Sequence, residues 1–339
     1  MIREAIEALV SGKSLTMDEA SSVMREVMDG EATPAQIGSF VTALRVKGET
    51  ADEMAGMATI MREKALHVEV DGLTVDTAGT GGDAKGTFNI STAAAIVGAG
   101  AGVKMAKHGG RAASGVCGSA DVLEAAGVKI DLGPEGVKRC IEDVGIGFMF
   151  APTFHPAMRH AAPVRRELGI RTVFNVMGPL TNPAGAAGQL LGVPDPAWGE
   201  RMAQVLRILG STHAMVVHGE DGMDELTLGA PTRVWEVKDG QVYAGTVIPE
   251  EVGLPRVTTD EIPGGGPEES AVILRRLLGG EQGPLRHVVL LNAAAVLLVG
   301  GMVDDLAAGV PMAEEAIDSG KAAQTLNDLV TLSQKLASE

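Results

Sequence analysis

From residue 2 to residue 65 the apolar positions fall three and four apart, as at Ile37, Phe40, Val41 and Leu44, and the pattern predicts helices only. The ends of these helices are marked too. Thr16 with Glu19 and Thr50 with Glu53 have capping-box spacing. Thr33 precedes Pro34 as a cap precedes a proline in the first turn, and Gly30 and Gly48 predict two stops. After residue 70 the texture changes. Short apolar runs (LTVDTAG, VKMAKHG, IGFMFA, AMVVHGE, RVWEVKDG) read as strands, with helical runs between them at 91–101, 119–127, 134–144 and 198–209. Such alternation predicts a mostly parallel sheet, and sheets of that kind bind ligands at the carboxyl ends of their strands. The stretch AAPVRRELGIRTVFNVMGPLTNPAG interrupts the alternation and is expected to return to the helical part as a hinge. Residues 246–267, rich in Pro and Gly, read as loop, and from EESAVILRRLL onward the chain is mainly helical.

The expected fold class is α/β: a small N-terminal helical domain hinged to a larger α/β domain with a central, mostly parallel sheet flanked by helices. The first covers 1–69, with 160–185 returning to it; the second covers 70–159 and 186–339.

Composition narrows the function. With 339 residues, 45% hydrophobic and 21% charged, the balance is globular, and a chain this long buries roughly 75% of its unfolded surface without staples. Aromatics are 3%, so Ala, Val, Leu, Ile and the 16 Met must fill the core. Cys117 and Cys140 lack a CxxC spacing or a His cluster, which suggests neither a metal centre nor a disulfide framework and fits a reducing, cytoplasmic setting. The start, MIREAIEALVSGKSL, lacks the pattern of a secretory signal. No apolar run reaches the ~18 residues of a membrane span. A net charge of −16 opposes nucleic-acid binding, whereas a local pocket can still invert the sign for a small anion.

The candidate chemistry sits in glycine-rich turns. In DTAGTGGDAKGTFNIST, Gly79, Gly81 and Gly82 follow a strand, and Asn89, Ser91 and Thr92 open a helix whose free N–H groups carry partial positive charge. This can be an anion cradle or a tight structural turn, and Ser91 or Thr92 can cap the helix or bind an ion. The sequence is neither a P-loop nor a clean GxGxxG. A second turn, KHGGRAASGVCGSADVLEAAG, adds Lys107, His108 and Arg111 before a helix beginning at Ser119. His108 reads equally as a ligand contact or a structural histidine, and Lys107 and Arg111 as phosphate contacts or a solvated face. Glu220, Asp221, Asp224 and Glu225 follow a strand, as oxygen ligands for Mg²⁺ or as a charged surface loop. Arg165 and Arg166 can receive a carboxylate bidentately or lie on a helix surface. A Ser or Cys nucleophile has no local signature here.

Together these stretches resemble the anthranilate phosphoribosyltransferase family. The residues that carry the resemblance are GTGGD at 79–83, TFNIST at 87–92, KHG with Arg111 at 107–111, GSADVLEAAG at 118–127, HPAMRH with PVRRELGIRTVFNVMGPLTNPAG at 155–185, VVHGEDGMDEL at 216–226 and GGGPEE at 264–269. The resemblance implies a homodimer that transfers phosphoribosyl from phosphoribosyl pyrophosphate (PRPP) to anthranilate, with Mg²⁺. It implies PRPP contacts at Gly79, Gly82, Asp83, Thr87, Asn89, Ile90, Ser91 and Thr92 in the first turn. In the second turn it implies Lys107, His108, Gly109, Gly110, Arg111, Ala112, Ala113, Ser114, Gly115 and Ser119. Anthranilate would meet Gly79, His108, Gly110 and Arg165, and Mg²⁺ would be held by Ser91, Asp224 and Glu225. Two departures stand out: Gly110 replaces the family's usual asparagine, and Gly115 follows Ser114 where the family tends to have two serines. Gly110 keeps another aromatic amine acceptor open. A pyrimidine nucleoside phosphorylase and a non-catalytic nucleic-acid binder are the alternatives of other classes.

Overall fold

Three capping boxes set the N-terminal helices. In the computed structural model, which describes residues 1–83, 85–112 and 116–339, α1 (Ile2–Val10) is followed by α2 (Met17–Met28), α3 (Pro34–Lys47) and α4 (Ala51–Glu63). The Thr16, Thr33 and Thr50 hydroxyls accept the N–H of Glu19, Gln36 and Glu53, and each third residue's side chain reaches back to the cap. The box at Thr33 completes the proline cap read from the sequence, with Gln36 as the return partner.

The sheet has seven strands: β1 (Val75–Gly79), β2 (Met105–Gly109), β3 (Ile146–Phe150), β4 (Gly188–Gly192), β5 (His213–Gly219), β6 (Thr232–Lys238) and β7 (Gln241–Val247). Their order is β3-β2-β1-β4-β5-β6-β7. The first five in that order run parallel, and β6 and β7 add an antiparallel hairpin. The chain builds outward from β1 through β2 to β3, then returns to the other side of β1 as β4. The crevice between the carboxyl ends of β1 and β4 is therefore the topological switch point, where such sheets hold ligands.

Two strands are absent from the sequence-based expectation. GQLLG is short and bounded by glycines, because a Cβ on Gly188 would press on the Val299 carbonyl and one on Gly192 on the Asp224 backbone. QVYAGTV is an exposed edge strand with no apolar run to mark it. Residues 246–267, expected as loop, begin with the last two residues of β7 and contain 3₁₀ turns at Pro249–Val252 and Thr259–Glu261.

The remaining helices are α5 (Ile90–Gly100), α6 (Ser119–Ala125), α7 (Pro134–Val144), α8 (Ala151–Phe154), α9 (Ala162–Leu168), α10 (Gly199–Ile208), α11 (Pro267–Leu278), α12 (Pro284–Val299), α13 (Leu306–Asp318) and α14 (Lys321–Ser338). Two apolar cores divide at the sheet. One joins α5, α7 and α11–α14 to Leu190, Met215 and Val217. The other joins α1–α4 to α10 and to Leu191, Ala214 and Val216, the opposite side chains of the same strands, as the two-residue alternation of a strand requires. Ala161, Val164, Val173, Phe174, Met177 and Leu180 are buried in this second core with the N-terminal helices.

One buried ion pair locks the helical bundle. Glu53 is fully buried, pairs with Lys47 at 3.0 Å and accepts the N–H of Leu15 at 2.9 Å and of Thr50 at 2.7 Å. Removing it would strand the Lys47 ammonium and two amides. We expect Glu53→Ala to lower stability by about 3–5 kcal/mol, seen as a fall in the urea midpoint; an unchanged midpoint would show that the pair contributes nothing.

Candidate active site

The site grows from the ends of β1 and β4. Gly79 and Gly192 are paired across the two strands, and Thr80 N–H continues the pairing to the Gly192 carbonyl at 2.9 Å. The loop after β5 folds back over this point. A Cβ on Gly79 would collide with the Asp224 carboxylate, and one on Gly192 with the Asp224 backbone. The two glycines are thus the seat of Asp224. Gly81 then donates its N–H to Asp224 Oδ2 at 2.7 Å, so the glycine turn and the acidic loop are hydrogen-bonded to each other.

Three carboxylates gather here. Asp224 is 8% exposed, and burial, then the charge of Asp83, push it up to about 7. Glu225 is pushed up to about 8 by burial and next by Asp224, with Lys107 and the Ser91 backbone amide pulling the other way. The expected Mg²⁺ trio of Ser91, Asp224 and Glu225 therefore comes together at the start of α5. Among the described residues no group of three or more His, Cys, Asp or Glu has metal-holding geometry. Two shielded carboxylates with a hydroxyl nonetheless suit Mg²⁺, which takes one or two carboxylates and completes its shell with water and phosphate.

Ser91 and Thr92 do not cap α5, contrary to one sequence expectation. Asn89 occupies the cap position and the other two lie inside the first turn. The Asn89 side chain instead donates to the Cys117 carbonyl at 3.0 Å, tying the first glycine turn to the second. Ile90 and Thr92 are buried, and Thr92 Oγ1 has no partner among the described residues. Thr87 bridges to Pro263, and Gly264 N–H reaches the Gly86 carbonyl at 2.9 Å, so the GGGPEE stretch braces the loop.

Below the loop lies a buried polar group that the sequence reading did not find. Asp76 is fully buried in β1; it accepts the His108 N–H at 3.1 Å and Asn182 Nδ2–H at 2.9 Å. Burial raises its pKa, against the nearby Lys107 charge. Lys107, 1% exposed, donates to the Thr77 carbonyl at 2.7 Å; burial lowers its pKa, opposed by Asp76 and Glu225. Its ammonium thus balances the acids beneath the site. An aspartate inside the apolar run LTVDTAG was the available signal for Asp76; Asn182 had none.

The second turn is divided. Gly109 abuts Ser119, since a Cβ there would clash with Ser119 Oγ. Asp121 accepts the N–H of Ala112 and of Gly118, each at 2.9 Å. Arg111 spends its charge on Asp121 and Glu124, at 2.9 and 2.7 Å, and stacks on Phe150. Among the described residues, nothing lies within 4 Å of the position a Cβ on Gly110 would take. Ala113, Ser114 and Gly115 fall outside the described residues.

His108 and His155 face each other, with ring centroids 5.0 Å apart. Burial holds them down to about 3 and about 4, with His155 also acting on His108. Both are neutral, and each leaves Nε2 without a partner among the described residues. Arg165 is half-buried over Phe174, and burial lowers its pKa. Hollows of 120 and 240 Å³ are lined by other residues, the larger by Arg111, Glu124 and Lys129, and neither includes the three carboxylates.

Comparison with known proteins follows the same outline. A family model described as the glycosyl transferase family, a/b domain, matches residues 71–323, and one described as its helical bundle domain matches residues 3–65. The chain is 56% identical over 340 residues to an anthranilate phosphoribosyltransferase of Dehalococcoides mccartyi, covering 100% of both. It is 57% identical to that of Chloroflexus aurantiacus, over 98% of this chain and 99% of the relative. The crystal structure of the Thermus thermophilus anthranilate phosphoribosyltransferase superposes with a TM-score of 0.93 at 49% identity, covering 97% and 99% of the two chains. That of Saccharomyces cerevisiae, in complex with PRPP and Mg, superposes at 0.90 and 28%, covering 98% of each.

The raised carboxylates give a test of the site's electrostatics. Glu225 is held up to about 8 when folded, against an ordinary value near 4.3 in the unfolded chain. The folded state then binds the extra proton, so stability falls as pH rises between those values. Above about pH 6.5 His108 and His155 are neutral in both states, leaving the acids to set the slope. In buffer free of divalent cations, Glu225→Gln should melt higher than the parent at pH 8, by about 1–2 °C per kcal/mol gained, with the difference shrinking toward pH 5. A pH-independent difference would contradict the assignment.

Proposed function

The chain belongs to the anthranilate phosphoribosyltransferase family, and we propose that its own residues carry out that reaction as follows. The phosphoribosyl group of PRPP moves to the amine of anthranilate: the anomeric carbon forms a bond to nitrogen as its bond to pyrophosphate breaks, and the amine gives up a proton. The carrying observation is the seating of Asp224 against Gly79 and Gly192 at the switch point of the sheet. The Gly82 and Asp83 main-chain N–H groups and the α5 N-terminus are the donors available to the diphosphate, those of Thr80 and Gly81 being held by Gly192 and Asp224.

Ser91, Asp224 and Glu225 would hold Mg²⁺, which would supply positive charge toward a pyrophosphate leaving group. Lys107 keeps Asp76 and Glu225 compatible with burial, and so positions the acidic loop. The arylamine is neutral near pH 7 and needs no strong base. Neutral His108 and His155 offer unprotonated acceptors on its path, and Arg165 is free to take its carboxylate bidentately. Catalysis then rests on alignment and on charge placed in advance. Closure of the helical part (1–69 with 160–185) over the α/β part would keep water from competing. A homodimer is supported by the apolar Val10 and Val46, 71% and 83% exposed at the ends of α1 and α3. A cytoplasmic setting is supported by two free cysteines; among the described residues no helix is long and apolar enough to cross a membrane.

Loss of anthranilate fluorescence with PRPP and Mg²⁺ is the direct assay. We expect the double variant Asp224→Ala, Glu225→Ala to lose Mg-dependent turnover while remaining folded, and normal turnover would remove the metal assignment. Gly110 favours a second reading, a different aromatic amine as acceptor. Among the described residues no atom opposes a side chain at Gly110, and Gly110→Asn should fold normally. It should also lower the KM for anthranilate by up to about tenfold, the worth of one hydrogen bond. An unchanged KM, with another amine used more efficiently by the parent, would favour that second reading.

A further inference from the structure

Arg171 lies just beyond α9, in the stretch whose Val173, Phe174 and Met177 are buried with the N-terminal helices. Its side chain nonetheless reaches the glycine turn of the α/β part. Nη2–H donates to the Gly81 carbonyl at 3.0 Å, and the guanidinium fills the space where a Cβ of Gly82 would stand. Gly82 also has a φ of +88°, a conformation glycine adopts freely and other residues do not. The Arg171 carbonyl is in turn held by the Arg45 guanidinium of α3. Gly81 is therefore gripped from two sides: its N–H by Asp224, its carbonyl by Arg171.

Arg111, the arginine that the motif suggested, is neutralised by Asp121 and Glu124. Arg171 instead spends a donor on an uncharged carbonyl and is exposed. A guanidinium carries five donors in a fixed fork and meets phosphate oxygens bidentately, with opposite charge, where a carbonyl offers one neutral oxygen. We propose that Arg171 is a diphosphate-binding residue supplied by the helical part. It exchanges the Gly81 carbonyl for the pyrophosphate moiety of the bound substrate, and so links arrival of the diphosphate to closure of the two parts. This rests on the phosphoribosyl-transfer reading above.

The test uses the full chain and two probes, Mg-pyrophosphate and ribose 5-phosphate, titrated by calorimetry. Arg171→Ala should weaken Mg-pyrophosphate by about tenfold or more, leave ribose 5-phosphate unchanged and keep the melting temperature, since the side chain is exposed. Arg171→Lys should recover part of the loss, as a point charge without the fork. Pyrophosphate affinity within about twofold of the parent overturns the proposal. So does an equal loss for both probes, which would mark Arg171 as a loop brace only. A parent chain that consumes no anthranilate with PRPP would undo the functional reading, while the pyrophosphate titration would still decide the role of Arg171.

Discussion

Everything at the site depends on how closely the backbone of one loop lies against two strand ends. Asp224 can sit over the join of β1 and β4 only because residues 79 and 192 lack side chains. That seat places a carboxylate pair beside the first turn of α5 and hydrogen-bonds it to Gly81. The strand order supplies the place, since the chain reverses its direction of sheet building at β1. An alanine at either position would have to displace the acid loop or part the strands.

The second constraint is charge. A protein of net charge −16 brings Asp76, Asp83, Asp224 and Glu225 into one region, the first of them fully buried. Buried ions are tolerated when paired and hydrogen-bonded. Lys107, Asn182 and the His108 amide provide that for Asp76. The upper pair has less compensation, which is why both carboxyls are held as acids near neutrality. Such a site is poised for a cation bringing its own anion. Positive charge stands on the other side, on Arg45, Arg165 and Arg171.

Legibility in the sequence followed the range of the interactions. The caps at Thr16, Thr33 and Thr50 are set within four residues and were plain in the sequence. The strands at β1, β2, β3, β5 and β6 declared themselves by apolar runs. The strand at β4 did not, because its glycines answer to Val299 and Asp224, far away along the chain. The residue types of the site were legible, whereas their assignments were not. Nothing local says that Gly79 serves the acid loop or that Arg111 is spent on Glu124. Arg171 gave no signal at all, since its meaning lies in a contact that crosses from one part of the molecule to the other.

The second apolar core has a consequence for how the molecule comes apart. It takes side chains from α1–α4 and from β4, β5 and α10 together, although the matched family regions divide between residues 65 and 71. Severing the chain there would lay bare one side of β4 and β5 and the matching side of the bundle. The smaller piece would lose the surface that completes its interior, whereas the larger keeps the core that α5, α7 and α11–α14 build on the other side of the sheet. Any relative motion during turnover must be a slide across that shared packing rather than the swing of two free bodies.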